Sequence, residues 1–341
     1  MITFKPKQTT KKLLAVLPER ARDVLEKRYG LGKNADRHTL ESIGQTYGIT
    51  RERVRQIENY GIQTIQKSDA YKEQTAVFDE LRETVNELGC VVCEEDLLEL
   101  LGSDKATRNH IYFLLTIGDP FYRSKENSSF HHRWYVERKV SEVVERALHN
   151  VFQSLSEEEL ITEEDIIARL KQELTSLEEK YKDEAILRRW LSISKEIDSN
   201  PLGEWGPATS PNVRAKGIRD YAYLAVKRHG SPMHFREVAQ AIEELFGKKA
   251  HVATTHNELI KDKRFVLVGR GLYALTEWGY TAGVVKEVLK DILAKSGPLS
   301  RDEIIDKVRK ERYVKDNTII VNLQDTALFK RLSDGSYIVL E

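Results

Sequence analysis

Arg51, Glu52, Arg55, Gln56 and Asn59, with Arg53 beside them, are the residues of this chain best suited to recognise another molecule by its hydrogen-bond pattern. A guanidinium offers two parallel donors to the O6 and N7 acceptors of guanine. A glutamine amide fits the N6 and N7 edge of adenine, and a carboxylate accepts from the amino group of cytosine. These side chains surround an apolar series, Val54, Ile57, Gly61 and Ile65, at intervals of three and four. A helix over this stretch would bury the series and turn the polar groups outward. The implied chemistry is reading base edges in double-stranded DNA, not making or breaking bonds.

Such a face needs a support, and the residues just upstream supply one. Leu40, Ile43, Gly44 and Tyr47 repeat the helical spacing. Thr39 is expected to cap this first helix, with Glu41 in the first turn where the helix dipole favours a carboxylate. Gly48 can end it in the left-handed conformation, and Thr50 can cap the second helix. Two short helices with a glycine at the corner are the sequence form of a helix-turn-helix, whose second helix enters the major groove. Thr39, Thr50, Arg51, Glu52, Arg53, Arg55, Gln56 and Asn59 are therefore the expected DNA-binding residues.

The run from Leu17 to Lys67, including LPERARDVLEKRYGLG and TLESIGQTYGITRERVRQIE, resembles region 4 of the sigma-70 family of bacterial sigma factors. The resemblance implies that the first part packs under the helix-turn-helix and meets the flap of the RNA polymerase beta subunit. The second helix would read the minus-35 promoter element, with base contacts on Arg51, Glu52 and Gln56 and phosphate or protein contacts on Arg53 and Arg55. The likeness is close through Glu58. Beyond it the chain has Asn59, Tyr60, Gly61, Ile62 and Gln63 where family members carry more basic residues. It covers about the first fifth of the chain, and no aromatic-rich segment for opening a promoter is found, so a partial sigma factor is expected.

The remainder repeats itself. VCEEDLL (Val92 to Leu98), ITEEDII (Ile161 to Ile167), MHFREVA (Met233 to Ala239) and LSRDEII (Leu299 to Ile305) align without gaps. Each has an apolar residue, a small or polar cap position, charged residues in the first turn and an apolar pair. An amphipathic helix precedes each, as at Val140 to Phe152 and Val284 to Ala294, and another follows. RFVLVGRGLYAL (Arg264 to Leu275) and LFKRLSDGSYIVL (Leu328 to Leu340) then read as strand pairs about a tight turn. Helix, short strand, helix, helix and hairpin make a winged helix. The expected fold class is mainly α: a helix-turn-helix domain followed by tandem winged-helix units with small β wings. The expected boundaries are 1–70, 73–138, 139–208, 209–280 and 281–341.

Val213 to Trp278, with IRDYAYLAVKRHGSPMHFREVAQAI, HVATTHNELIKDKRF and GRGLYALTEWG, resembles the HARE-HTH family, also found at the N-terminus of the delta subunit of Gram-positive RNA polymerases. That resemblance implies a second contact with DNA or with polymerase. Its candidates are Lys248, Lys249, His251, Thr254, Thr255, Asn257, Lys261 and Arg270, expected to be exposed on the third helix, before it, and on the wing.

Charge divides the chain in the same way. Residues 1–67 hold 14 Lys and Arg against 7 Asp and Glu (+7), residues 68–208 hold 17 against 30 (−13), and residues 209–341 hold 23 against 17 (+6). The acidic middle is expected to serve as a spacer or a protein-binding surface, while either flank can approach phosphate. CVVC, Cys90 to Cys93, lacks the second cysteine pair of a structural zinc site and the βαβ context of a redox motif. Cys93 falls on the repeat's cap position, and a capping role is expected for it. Gly269-Arg270-Gly271 lacks the spacing and the Lys-Ser/Thr ending of a phosphate loop. No metal, cofactor, small-molecule substrate or catalytic constellation is expected. With no spanning apolar run and no signal-like N-terminus, a cytoplasmic, nucleoid-associated transcription protein is expected, partnered by promoter DNA and RNA polymerase core. The alternatives are an accessory polymerase subunit that reads no sequence, or a specificity module for a separately encoded DNA-modifying enzyme.

Overall fold

A computed structural model describes residues 2–157, 159–280, 285–311 and 314–340. The chain divides into two compact bodies: residues up to 199 with 203–209, and residues 200–202 with 210 onward. The fold is mainly helical with small antiparallel sheets.

The N-terminal body begins with α1 (Pro6–Leu14), α2 (Glu19–Tyr29), α3 (Leu40–Tyr47), α4 (Arg51–Gln66) and the short α5 (Asp69–Lys72). Ala21, Val24, Leu25 and Tyr29 form the buried stripe of α2, which Gly30 ends in the left-handed conformation. The first repeat follows as α6 (Thr75–Glu87), β1 (Val91–Cys93), α7 (Glu94–Leu101), α8 (Lys105–Ile117), β2 (Tyr122–Ser124) and β3 (Arg133–Tyr135). Its sheet runs β1-β3-β2, with Trp134 opposite both Val92 and Arg123. The second comprises α9 (Arg138–Ser154), α10 (Glu163–Glu173), α11 (Glu184–Leu191), β4 (Ile197–Ser199) and β5 (Trp205–Pro207), its first strand reduced to a bridge from Ile161 to Trp205.

In the C-terminal body the third repeat is α12 (Ile218–His229), β6 (Met233–His234), α13 (Phe235–Phe246), α14 (Val252–Lys261), β7 (Phe265–Gly269) and β8 (Leu272–Leu275), with sheet order β6-β8-β7. The fourth is α15 (Val285–Ser296), α16 (Arg301–Glu311), α17 (Asp316–Leu323), β9 (Phe329–Arg331) and β10 (Tyr337–Val339), with Leu299 bridging to Tyr337. The helix predicted from Val284 thus appears from Val285; Val284 itself, with the rest of 281–284, lies outside the described residues.

One strand-to-helix junction recurs four times, with a capping side chain in three. The apolar residue opening each heptapeptide pairs with the last strand of the hairpin, and the next residue starts a helix. Thr162 accepts a hydrogen bond from the Asp165 amide at 3.2 Å. His234 and Ser300 take part in reciprocal caps, their backbone amides donating to Glu237 at 2.9 Å and Glu303 at 2.8 Å. Cys93 departs from the expectation: it occupies the cap position, yet its thiol makes no capping hydrogen bond. The site is instead a buried strand end, and burial pushes the thiol up from its ordinary pKa.

Packing does not respect the sequence repeats within the N-terminal body. One core joins Leu13, Leu17, Leu25, Tyr29 and Ile65 of the first helices to Phe113, Leu114 and Trp134 of the first repeat. A second joins Cys90, Val91 and Phe130 of that repeat to Val144, Leu148 and Trp190 of the next. Asn109 on α8 reaches back to the turn after α2, its amide donating to the carbonyls of Gly30 (3.0 Å) and Ala35 (2.9 Å). Arg37 of that turn donates to Asn109 Oδ1 at 2.7 Å and lies 4.2 Å from the Tyr112 ring centroid. The positions near 70 and 138 therefore separate turns of a repeating pattern, not separately packed cores. No helix among the described residues is long and apolar enough to cross a membrane.

Candidate nucleic-acid interface

Helices α3 and α4 meet at a corner fixed by three residues. Gly48, at φ 63°, supplies the left-handed turn after α3. The Ile49 amide donates back to the Gly44 carbonyl at 3.0 Å. A Cβ on Gly44 would stand 2.6 Å from the Ile49 carbonyl oxygen, so only glycine lets the chain turn this tightly. Thr39 caps α3 by accepting from the Ser42 amide (3.1 Å), and Thr50 caps α4 by accepting from the Arg53 amide (3.2 Å). Replacing Thr50 with alanine is expected to remove about 1 kcal/mol of stability. Urea denaturation should show it, with a control at exposed Thr46 staying near the wild-type midpoint.

Beneath the face, Val24, Ile43 and Val54 form a small core, with Leu40, Tyr47, Ile49 and Ile57 packed around it. Lys27 ties α2 to α3, its ammonium donating to Tyr47 Oη at 3.0 Å. Glu58, nearly buried, faces Arg28 Nε at 3.4 Å and the phenol of Tyr29. Burial, reinforced by the Glu58 carboxylate, pushes the Tyr29 hydroxyl far above its ordinary pKa and keeps it a donor. The Gln66 amide closes the far end of α4 onto the Ile117 carbonyl of α8 at 2.9 Å. Arg28, Tyr29 and Glu58 are not among the expected site residues; the one signal for Glu58 is its i, i+4 spacing from Val54, which puts it beside the buried stripe.

Arg51, Glu52, Arg53, Arg55, Gln56 and Asn59 all lie exposed along α4, as predicted. Their mutual arrangement was not anticipated. Arg55 grips Glu52 with two hydrogen bonds, 2.9 and 2.7 Å, and holds its carboxyl below the usual range. Arg53 donates to Gln56 Oε1 at 2.9 Å. Both pairs are three residues apart on a solvated helix, where such contacts are weak and exchange readily for a ligand. Arg51 has no ion-pair partner among the described residues.

In the third repeat the structure leaves Lys248, Lys249, His251, Thr254, Asn257, Lys261 and Arg270 exposed. Thr255 is the exception. It is fully buried on the side of α14 that also buries Leu259, four residues on, and its hydroxyl donates to the His251 carbonyl at 3.1 Å. The expectation that it faces solvent is corrected by this helical period. Val252, Ile260 and Leu267 are large apolar residues exposed on α14 and β7.

With this geometry in hand, the comparison with known proteins is specific. The family described as "Sigma-70, region 4" matches residues 13–67, from the end of α1 through the end of α4. Residues 13–67 form a sigma-70 region 4 domain. RNA polymerase sigma factor RpoD of Neisseria gonorrhoeae is 47% identical over 51 residues, 15% of this chain and 8% of the relative. RNA polymerase sigma factor SigA of a Nostoc species is 50% identical over 52 residues, 15% of this chain and 13% of that protein. SigA1 of Synechococcus elongatus is 54% identical over 46 residues, 14% of this chain and 11% of its own length. The chain thus spans about a tenth of the length of these curated relatives.

Proposed function

We propose that this chain is a DNA-binding transcription factor that resembles a partial sigma factor and modulates initiation by reading a minus-35-like promoter element with α4. The observation that carries this reading is the exposed row from Arg51 to Asn59 on a doubly capped helix within a region 4 domain. Arg51, Glu52 and Gln56 are the base readers; Arg53 and Arg55 reach phosphate once their intrahelical partners are exchanged. The excess of positive charge in residues 1–67 favours approach to the duplex.

RNA polymerase core is the second partner in this proposal. Docking on the beta flap through residues 17–32 has a reduced surface available, because Leu17, Leu25, Tyr29 and Leu31 are committed to the core shared with the first repeat. Pro18, Glu19, Arg20 and Gly32 remain exposed for it. A second reading has its own support: the third repeat, as a HARE-HTH unit of the polymerase delta type, docks on polymerase protein rather than on DNA. Val252 and Ile260 on α14 and Leu267 on β7 are 42%, 61% and 47% exposed, and apolar side chains suit a protein surface better than a phosphate backbone.

Fluorescence anisotropy of the full chain on duplexes with and without a TTGACA-like element tests the proposal. Tighter binding to the element, weakening by ~1–3 kcal/mol per substituted base pair, is expected. Equal affinity for every duplex, with polymerase still co-purifying, would replace it with the accessory-subunit reading.

A further inference from the structure

The large apolar side chains of α4 are packed, with one exception. Val54 and Ile65 are fully buried, and Ile57 and Ile62 lie against the cores beneath the helix. Tyr60 is 56% exposed. Its carbonyl accepts from the Thr64 hydroxyl at 2.7 Å, while its own hydroxyl makes no hydrogen bond among the described residues. Its neighbour Gly61 sets the helix close to α2, since a Cβ there would stand 3.1 Å from Leu25 Cδ1. The exposed phenol is therefore carried on a backbone held firmly against the core.

Arg53, Gln56 and Tyr60 follow one another at intervals of three and four and so share one stripe of α4. From Arg51 to Tyr60 the helix advances about 13 Å, against a major groove about 12 Å wide. With the N-terminal turns of α4 at the base edges, Tyr60 comes to the wall of the groove, where the sugar-phosphate backbone runs. A tyrosine hydroxyl donates to a phosphate oxygen, and its ring can cover the adjoining sugar.

We propose that Tyr60 is a backbone-contacting residue of α4, its hydroxyl donating to a DNA phosphate at the wall of the major groove. This rests on the reading of α4 as the helix that enters the groove. A neutral donor displaces no counterion, so the contact adds affinity that salt does not remove. It complements the charged phosphate contacts of Arg53 and Arg55, which weaken as salt rises.

Fluorescence anisotropy of the full chain across a salt series, on a TTGACA-like duplex and on a scrambled one, tests this. Tyr60→Phe keeps the ring and removes the hydroxyl. It is expected to weaken both duplexes by about three- to tenfold, leaving the salt slope and the ratio between duplexes unchanged. Tyr60→Lys should recover affinity at low salt and steepen the slope by about one. The side chain is exposed, so the thermal melts of both variants should match the wild type. Wild-type affinity in Tyr60→Phe would overturn the proposal, as would an unchanged slope in Tyr60→Lys. A changed ratio between the duplexes in Tyr60→Phe would make Tyr60 a base contact and likewise overturn it. Equal wild-type affinity for the two duplexes would remove base reading by α4 and leave the Tyr60 contact measurable on either; no binding to any duplex would overturn both.

Discussion

Phe113→Ala is expected to destabilise the N-terminal body by about 3–5 kcal/mol, the combined cost of lost burial and a residual cavity. Phe113 is fully buried in α8 and meets the Tyr29 ring edge-on, with centroids 5.1 Å apart. Tyr29 in turn lies against Glu58 of the reading helix. The substitution is made in the first repeat, yet its effect should extend into the region 4 domain. Hydrogen exchange should show the amides of α2 and α4 losing protection together with those of α8. If α2 and α4 kept wild-type protection while α8 lost it, the shared core would not act as one cooperative unit.

Arg51→Ala and Gln56→Ala are each expected to lose about 1–3 kcal/mol of discrimination at one base-pair position. Both side chains are exposed, so stability should change little. Arg53→Ala should behave differently, lowering affinity for all duplexes alike and reducing the salt slope by about one. It also frees Gln56 Oε1 from its intrahelical donor, so the choice at the base read by Gln56 should be retained. A uniform loss of affinity for Arg51→Ala and Gln56→Ala would make them backbone contacts. Titrations against single-base-pair variants of one duplex separate the two outcomes.

What the sequence disclosed was local. Thr39, Gly48 and Thr50 mark helix ends because a hydroxyl or a missing Cβ acts within three residues of its own position. The heptapeptide repeat was legible for the same reason: strand end, cap and apolar pair occupy consecutive positions, and in all four occurrences a paired residue leads into a helix, three of them through a capping side chain. The union of region 4 domain and first repeat was not legible. Asn109 bonds to Gly30 across 79 positions and Arg37 to Asn109 across 72, and such pairs leave no periodic trace in one sequence. Thr255 was misplaced because a cap-proximal threonine reads as exposed until the packing side of α14 is known. The i, i+3 spacing of Glu52 and Arg55 suits an ion pair as well as two duplex contacts, and spacing alone does not choose between them.

The central claim, that α4 distinguishes base pairs, is tested most directly by selection of full-length protein against a pool of randomised duplexes, in parallel with Arg51→Ala/Gln56→Ala. The account predicts that the wild-type chain enriches a short motif and that the double variant loses information at the positions those residues read. Recovery of unselected sequence by the wild type, or of the same motif by both proteins, would contradict it.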